Sequence, residues 1–147
     1  MNRINLICLG VRDMQKSLAF YKAIGFKTYE KNENPPIVFF DNAGTELELY
    51  PLDLLAKDSG GDAPPPLPAG GLGGFTLACN MKTEAEVDAF IERVRKAGGV
   101  VAKQPEKVFW GGYSGYFQDP DGTHWEVAYS PYWKFEEHDM LVLEPVN

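Results

Sequence analysis

At 147 residues, with 44% hydrophobic and 24% charged side chains, the chain has the composition of one ordinary globular unit. Its 14 basic and 21 acidic side chains give a net charge of -7, which repels phosphate backbones and anionic lipid and argues against nucleic-acid or membrane partners. No apolar run approaches the roughly 18 residues of a spanning helix, and Met1-Asn2-Arg3 leads into a strand-like segment without a signal-peptide pattern, so a cytoplasmic protein is expected.

In chain order, "INLICLGV" reads as a buried strand, and Asp13 then stands where an N-cap accepts the first free amides of a helix. Met14, Leu18, Tyr21 and Ile24 recur at helical spacing in "MQKSLAFYKAIGF", and Gly25 supplies the left-handed stop. "PPIVFFDNAGTELELYPL" predicts two strands around the turn Asn42-Ala43-Gly44. Residues 56–74 are so rich in Gly and Pro that a linker or flap without regular structure is expected. Beyond it "FTLACNM" is strand-like, and Thr83 with Glu86 has capping-box spacing. Val87, Phe90, Ile91 and Val94 then form one apolar helix face that ends at Gly98-Gly99. Strands follow at "VVAKQPEKVFW", "GYSGYFQD" and "THWEVAY", the last two joined by the turn Asp119-Pro120-Asp121-Gly122. Cys8 and Cys79 each lie inside an apolar run and read as buried free thiols.

The helix starts at Asp13 and Thr83 are 70 residues apart, and each half reads as strand, helix, then a strand meander. The fold class is therefore α+β, with two tandem βαβββ modules pairing curved sheets around a cavity, where ligands bind. The expected boundaries are module 1 over about 3–55, the linker 56–74 and module 2 over about 75–130. Together they make a single domain 1–130, followed by a C-terminal extension, 131–147. That extension carries Tyr132, Trp133, Phe135, Leu141 and Leu143, and needs cover from its own domain or from a partner.

"LGVRDMQKSLAFYKAIGF" and "GYFQDPDGTHWEV" together resemble the glyoxalase, bleomycin-resistance and extradiol-dioxygenase superfamily, also called vicinal oxygen chelate proteins, over roughly residues 3–130. The resemblance implies a homodimer. It also implies, for metal-dependent members, a His or Gln on each module's first strand and a Glu on each last strand. Glu48 and Glu126 match the carboxylate positions, whereas the nitrogen-ligand positions fall on Leu6 and Phe75. No cofactor is therefore expected. A divalent metal held by Glu48, His124 and Glu126 stays open as the alternative, because His124 and Glu126 share a strand face. His138 reads as a surface residue.

The expected ligand-binding set is Glu48, Glu126, Tyr50, Phe75, Trp110, Tyr116 and Gln118, which suits a flat or amphipathic small organic molecule. Glu126 has three readings: a satisfied buried carboxylate, the orienting group for a polar or cationic ligand, or a catalytic general base. Two functions follow. One is metal-free binding of a small organic ligand, for which an acidic surface and an aromatic cavity suit a cationic aromatic compound. The alternative is a lyase, isomerase or dioxygenase of the glyoxalase type, using a non-standard metal site or Glu126 as base.

Overall fold

In the computed structural model, which describes residues 1–145, strand β1 (Leu6–Val11) turns Leu9 and Val11 into the core and Leu6, Cys8 and Gly10 to the opposite face. The Asp13 side chain accepts the Lys16 amide at 2.9 Å and opens α1 (Met14–Ile24), which Gly25 ends in a left-handed conformation. The expected face of α1 is buried, and Ser17 and Phe20 are buried as well. That wider face arises because α1 packs on both modules, with Phe20 reaching Phe117 at a ring separation of 6.2 Å.

Strand β2 (Val38–Phe39) is much shorter than expected. Pro35 and Pro36 precede it and cannot donate to a ladder. The neighbouring position is taken by irregular chain, in which the Asp41 amide donates to the Lys27 carbonyl at 2.8 Å and the Thr28 hydroxyl to the Phe39 carbonyl at 2.7 Å. Strand β3 (Glu46–Pro51) lies between β1, to which it is parallel, and β2, to which it is antiparallel.

Helix α2 (Leu52–Gly60) corrects the expectation that regular structure is absent from residue 56 onward. Within 56–74 the first proline is Pro64, and Pro51 (φ -56°) sets up the first turn. The helix lies on the face of β1 that carries Gly10. A Cβ at Gly10 would stand 2.6 Å from Leu52 Cδ1 and 3.1 Å from Leu55 Cδ2, so the close approach requires glycine there. Helix α2 also crosses the expected module boundary at residue 55, and residues 62–69, with Pro64 to Pro66, carry no helix or strand.

The second module comprises β4 (Leu77–Met81), α3 (Glu84–Lys96), β5 (Val100–Lys107), β6 (Tyr113–Gln118) and β7 (His124–Tyr129). Its sheet order is β4-β7-β6-β5 with β4 parallel to β7, which repeats the β1-β3-β2 topology with one strand more. Thr83 caps α3 by accepting the Glu86 amide at 3.1 Å, and the Glu86 carboxylate reaches back to the Lys82 amide at 2.7 Å.

One hydrophobic core spans both modules, with Leu9, Leu18, Tyr21 and Leu49 from the first and Val87, Ile91, Phe117, Trp125 and Val127 from the second. The Phe117 and Trp125 rings stack at 5.9 Å, and Phe26 meets Trp125 edge-on at 5.7 Å. Polar stitches cross the same joint. The Tyr21 hydroxyl donates to Asp119 Oδ2 at 2.6 Å, the Ser17 hydroxyl to Asp121 Oδ2 at 3.1 Å, and the Arg12 amide to Asp121 Oδ1 at 2.9 Å. The two stretches that carried the family resemblance are thus bonded to each other.

The tail folds back on its own chain through the two-stranded pair β8 (Lys134–Phe135) and β9 (Leu141–Val142). Trp133 stacks on Trp110 at 5.8 Å, Met140 sits against Gly44, and Lys82 pairs with Asp139. No helix among the described residues is long and apolar enough to cross a membrane.

Candidate functional site

Strand alternation decides which way each candidate points. In β7, Trp125 and Val127 enter the core, so His124 and Glu126 face the other side of the sheet. Registers across the sheet place Ala78, Glu126, Tyr116 and Lys103 side by side in one row. Glu126, Tyr116 and Lys103 of this row line a groove of about 320 Å³ together with Ser114 and Trp110, with the exposed Phe109 at its rim. Burial, the charge of Glu126 and a hydrogen bond to its carboxylate, in that order, raise the ionisation of the Tyr116 phenol above its ordinary value. Tyr116 therefore remains a hydroxyl beside the Glu126 carboxylate, its cross-strand neighbour. The lysines of the rim are paired, Lys103 with Glu106 and Lys107 with Glu84, each at 3.0 Å.

Trp110 is held over this groove by a tight turn, with the Val108 amide donating to the Gly112 carbonyl and the Gly111 amide to the Val108 carbonyl, both at 3.0 Å. The indole occupies the space in which a Gly112 side chain would lie. Gly112→Ala is therefore expected to eject Trp110 and break its stack on Trp133. The near-ultraviolet circular dichroism of the tryptophans should change while the far-ultraviolet spectrum is retained. An unchanged near-ultraviolet spectrum would contradict this packing.

A second cavity, of about 260 Å³, is lined by Cys8, Arg12, Leu52, Leu72, Phe75 and His124 among others. Phe75 precedes β4 and is 51% exposed, so it does not stand opposite Glu126; Ala78 does. His124 Nε2 lies 3.0 Å from the Gln118 amide nitrogen, and its Nδ1 is buried with no hydrogen-bond partner among the described residues.

Glu48 and Tyr50 are set apart from both groups. They share the face of the first sheet on which α2 lies, Glu48 is 9% exposed, and Cys8 is its cross-strand partner. The Tyr50 hydroxyl is hydrogen-bonded to Asp58 of α2, which raises its ionisation. Of the expected ligand-binding residues, the structure brings Glu126, Tyr116 and Trp110 together. It puts Phe75 in the second cavity, engages Gln118 with His124, and covers Glu48 and Tyr50 with α2. His138 is exposed, beside Glu137.

The donor set was tested against the metal that the family resemblance implied. Leu6 stands opposite Glu46 rather than Glu48, and neither Leu6 nor Phe75 offers a lone pair. Among the described residues no three His, Cys, Asp or Glu side chains are grouped to hold an ion, so the alternative triad Glu48, His124 and Glu126 is not assembled. Glu48 belongs to the other sheet, and His124 and Glu126 line different cavities. These residues do not fit the family's divalent metal.

The thiols are likewise suppressed. Burial, then the charge of Glu48 and a hydrogen bond with it, push Cys8 up to about 11, and burial alone pushes Cys79 up to about 11, against an ordinary 9.0. With about two pKa units of suppression, the thiolate fraction at pH 8 is about 100-fold below that of a free cysteine. Reaction with Ellman's reagent is expected to be slow in the folded protein and fast in urea. Because the folded values are raised, these thiols contribute stability that is fully present below 9.0 and lost as pH rises through about 11. Equal reaction rates in the folded and unfolded chain would contradict the burial.

Residues missed from the sequence are Ser114, which shares the Tyr116 face by simple alternation, and Lys103, Phe109 and Arg12. The alternation in "YSGYFQ" could have found Ser114; nothing local marks the others.

A family model described as the Glyoxalase/Bleomycin resistance protein/Dioxygenase superfamily matches residues 3–127. Among solved structures, the chain is similar to a glyoxalase-related enzyme from Fulvimarina pelagi, with 29% identity, a TM-score of 0.86, and coverage of 99% of this chain and 100% of that one. It is also similar to a glyoxalase/bleomycin resistance protein/dioxygenase from Nocardioides, with 25% identity, a TM-score of 0.70 and coverage of 88% and 84%. A third similarity is to a lactoylglutathione lyase from Agrobacterium tumefaciens, with 25% identity, a TM-score of 0.63 and coverage of 92% and 98%. No functionally curated protein matches the chain.

Proposed function

Since the chain belongs to the glyoxalase, bleomycin-resistance and dioxygenase superfamily, we propose that it binds a small, flat organic cation in the Glu126 groove without a metal ion. The observation that carries this reading is the row Glu126, Tyr116 and Lys103 in one groove with the Trp110 ring. A carboxylate beside an aromatic wall offers a cation both an ion pair and a ring face. Lys103 is already paired with Glu106, which leaves the Glu126 carboxylate available to a ligand.

The groove volume lies at the low end of ligand sites, which run from about 300 to 1,000 Å³. It suits a molecule of one or two rings. The donor mismatch at Leu6 and Phe75 argues against the metal-dependent lyase and dioxygenase chemistry of the superfamily, and the proposal draws on none of it.

Tryptophan fluorescence tests this, because Trp110 forms the wall. Arylalkylammonium ions and benzamidinium are expected to quench it saturably, and their neutral isosteres and aryl carboxylates to leave it unchanged. Equal quenching by amines and neutral isosteres would sink the cation reading. Chemical conversion of the bound amine, absent in Glu126→Gln, would replace it with the general-base enzyme.

A further inference from the structure

The second cavity shares a sheet face with the groove, with His124 two residues along β7 from Glu126, and its chemistry is opposite. An amide NH2 can only donate, so the Gln118 nitrogen 3.0 Å from His124 Nε2 makes that atom an acceptor and leaves the proton on Nδ1. Nδ1–H is then a buried donor with no partner among the described residues, an arrangement that is costly until an acceptor arrives.

The Arg12 guanidinium is the second donor. It gives one bond to the Pro68 carbonyl at 2.6 Å and stands 3.6 Å from Asp121 Oδ1. A guanidinium has five N–H groups in a fork, so donors remain. Asp121 is the one carboxylate lining the cavity, and its oxygens are already taken by the Arg12 amide and the Ser17 hydroxyl. Leu52, Leu72 and Phe75 supply an apolar wall.

Donors at one side, where the lining carboxylate Asp121 is already bonded, hydrocarbon at the other, and a volume of about 260 Å³ specify the guest. We propose that this cavity is a separate binding site for a small apolar monocarboxylate, with its carboxylate on Arg12 and His124 Nδ1–H and its hydrocarbon against Leu72 and Phe75. It stands independently of the Glu126 groove.

Calorimetric titration with benzoate and hexanoate tests it, with benzamide and hexanol as uncharged controls. Both acids are expected to bind saturably, and their controls at least about tenfold more weakly, since charge-assisted bonds are roughly twice as strong as neutral ones. Arg12→Gln and His124→Leu should each weaken the acids by about tenfold or more. His124→Leu also takes away the partner of the Gln118 amide, so the discriminating readout is binding rather than Tm: a merely structural histidine would leave acid binding intact. Leu72→Trp, which fills the cavity and leaves every polar group in place, should abolish binding. Glu126→Gln should leave it unchanged, which separates this site from the cation groove. Absence of saturable binding, equal binding of acids and controls, or loss of acid binding in Glu126→Gln would each overturn the proposal.

Discussion

Asp119→Ala is expected to lower stability by about 3–5 kcal/mol, because it strands several buried donors at once. Asp119 is 4% exposed and accepts the Tyr21 hydroxyl at 2.6 Å and the amides of Asp121 and Thr123 at 2.9 Å each. Tyr21 in turn accepts Trp125 Nε1–H at 3.2 Å, so the loss spreads into the joint between the modules. Tyr21→Phe removes one bond to a charged acceptor and should cost about 1.5–3 kcal/mol. Urea denaturation followed by circular dichroism measures both. A loss below about 1 kcal/mol in Asp119→Ala would mean that water satisfies the turn and that the stitch is ornamental.

Asp119 also carries a pH signature. Burial raises its carboxyl above the ordinary 3.8, against the opposing pull of its hydrogen bonds. The folded state therefore keeps this proton to higher pH than the unfolded chain. Its stabilising contribution is full below 3.8 and is lost as pH rises through the raised folded value. The stability deficit of Asp119→Asn relative to the parent should accordingly be larger in acid than at neutral pH.

For ligand binding, the largest effect is expected from Glu126→Gln. It keeps the size and acceptor oxygen that Tyr116 uses and deletes the charge that a cation requires. Loss of such a partly desolvated pair costs about 2–3 kcal/mol, or roughly 30- to 150-fold in Kd. Trp110→Ala should cost less, about 1 kcal/mol, as a single cation–ring contact. Tyr116→Phe removes a donor from Glu126 and should sharpen rather than abolish the preference for cations. If Glu126→Gln binds arylalkylammonium ions as tightly as the parent, the carboxylate is a satisfied polar group and not the orienting one.

The βαβββ duplication was legible because helix caps and strand alternation are local. Asp13, Gly25 and Thr83 sit where the termini fall, and the alternation in "HWEVAY" correctly turned Glu126 away from Trp125. Helix α2 was not legible. Gly and Pro after residue 60 coloured the whole of 56–74, while the evidence for the helix lies in tertiary packing of Leu52 and Leu55 against Gly10.

That packing is also why Glu48 and Tyr50 could not be placed from their strand. Their face points away from the core as expected, but it is covered by α2, which follows directly in the chain and carries no local mark of where it packs. Phe75 shows a different limit. Counting back from a helix start assumes that the strand extends that far, whereas β4 begins at Leu77. The family signature itself, with Tyr21 and Asp119 at its centre, marks the joint between modules, so it predicts the fold well and the chemistry poorly.

The most direct test compares arylalkylammonium affinity in protein stripped with a chelator and in the same protein resupplied with iron, manganese, nickel or zinc, by calorimetric titration with metal content measured by plasma mass spectrometry. Metal-free binding at the Glu126 groove requires an unchanged Kd in the stripped protein and no stoichiometric metal uptake. Binding that appears only on adding an ion, with about one ion retained per chain and lost in Glu126→Gln, would contradict it and return the chain to the metal-dependent chemistry of its superfamily.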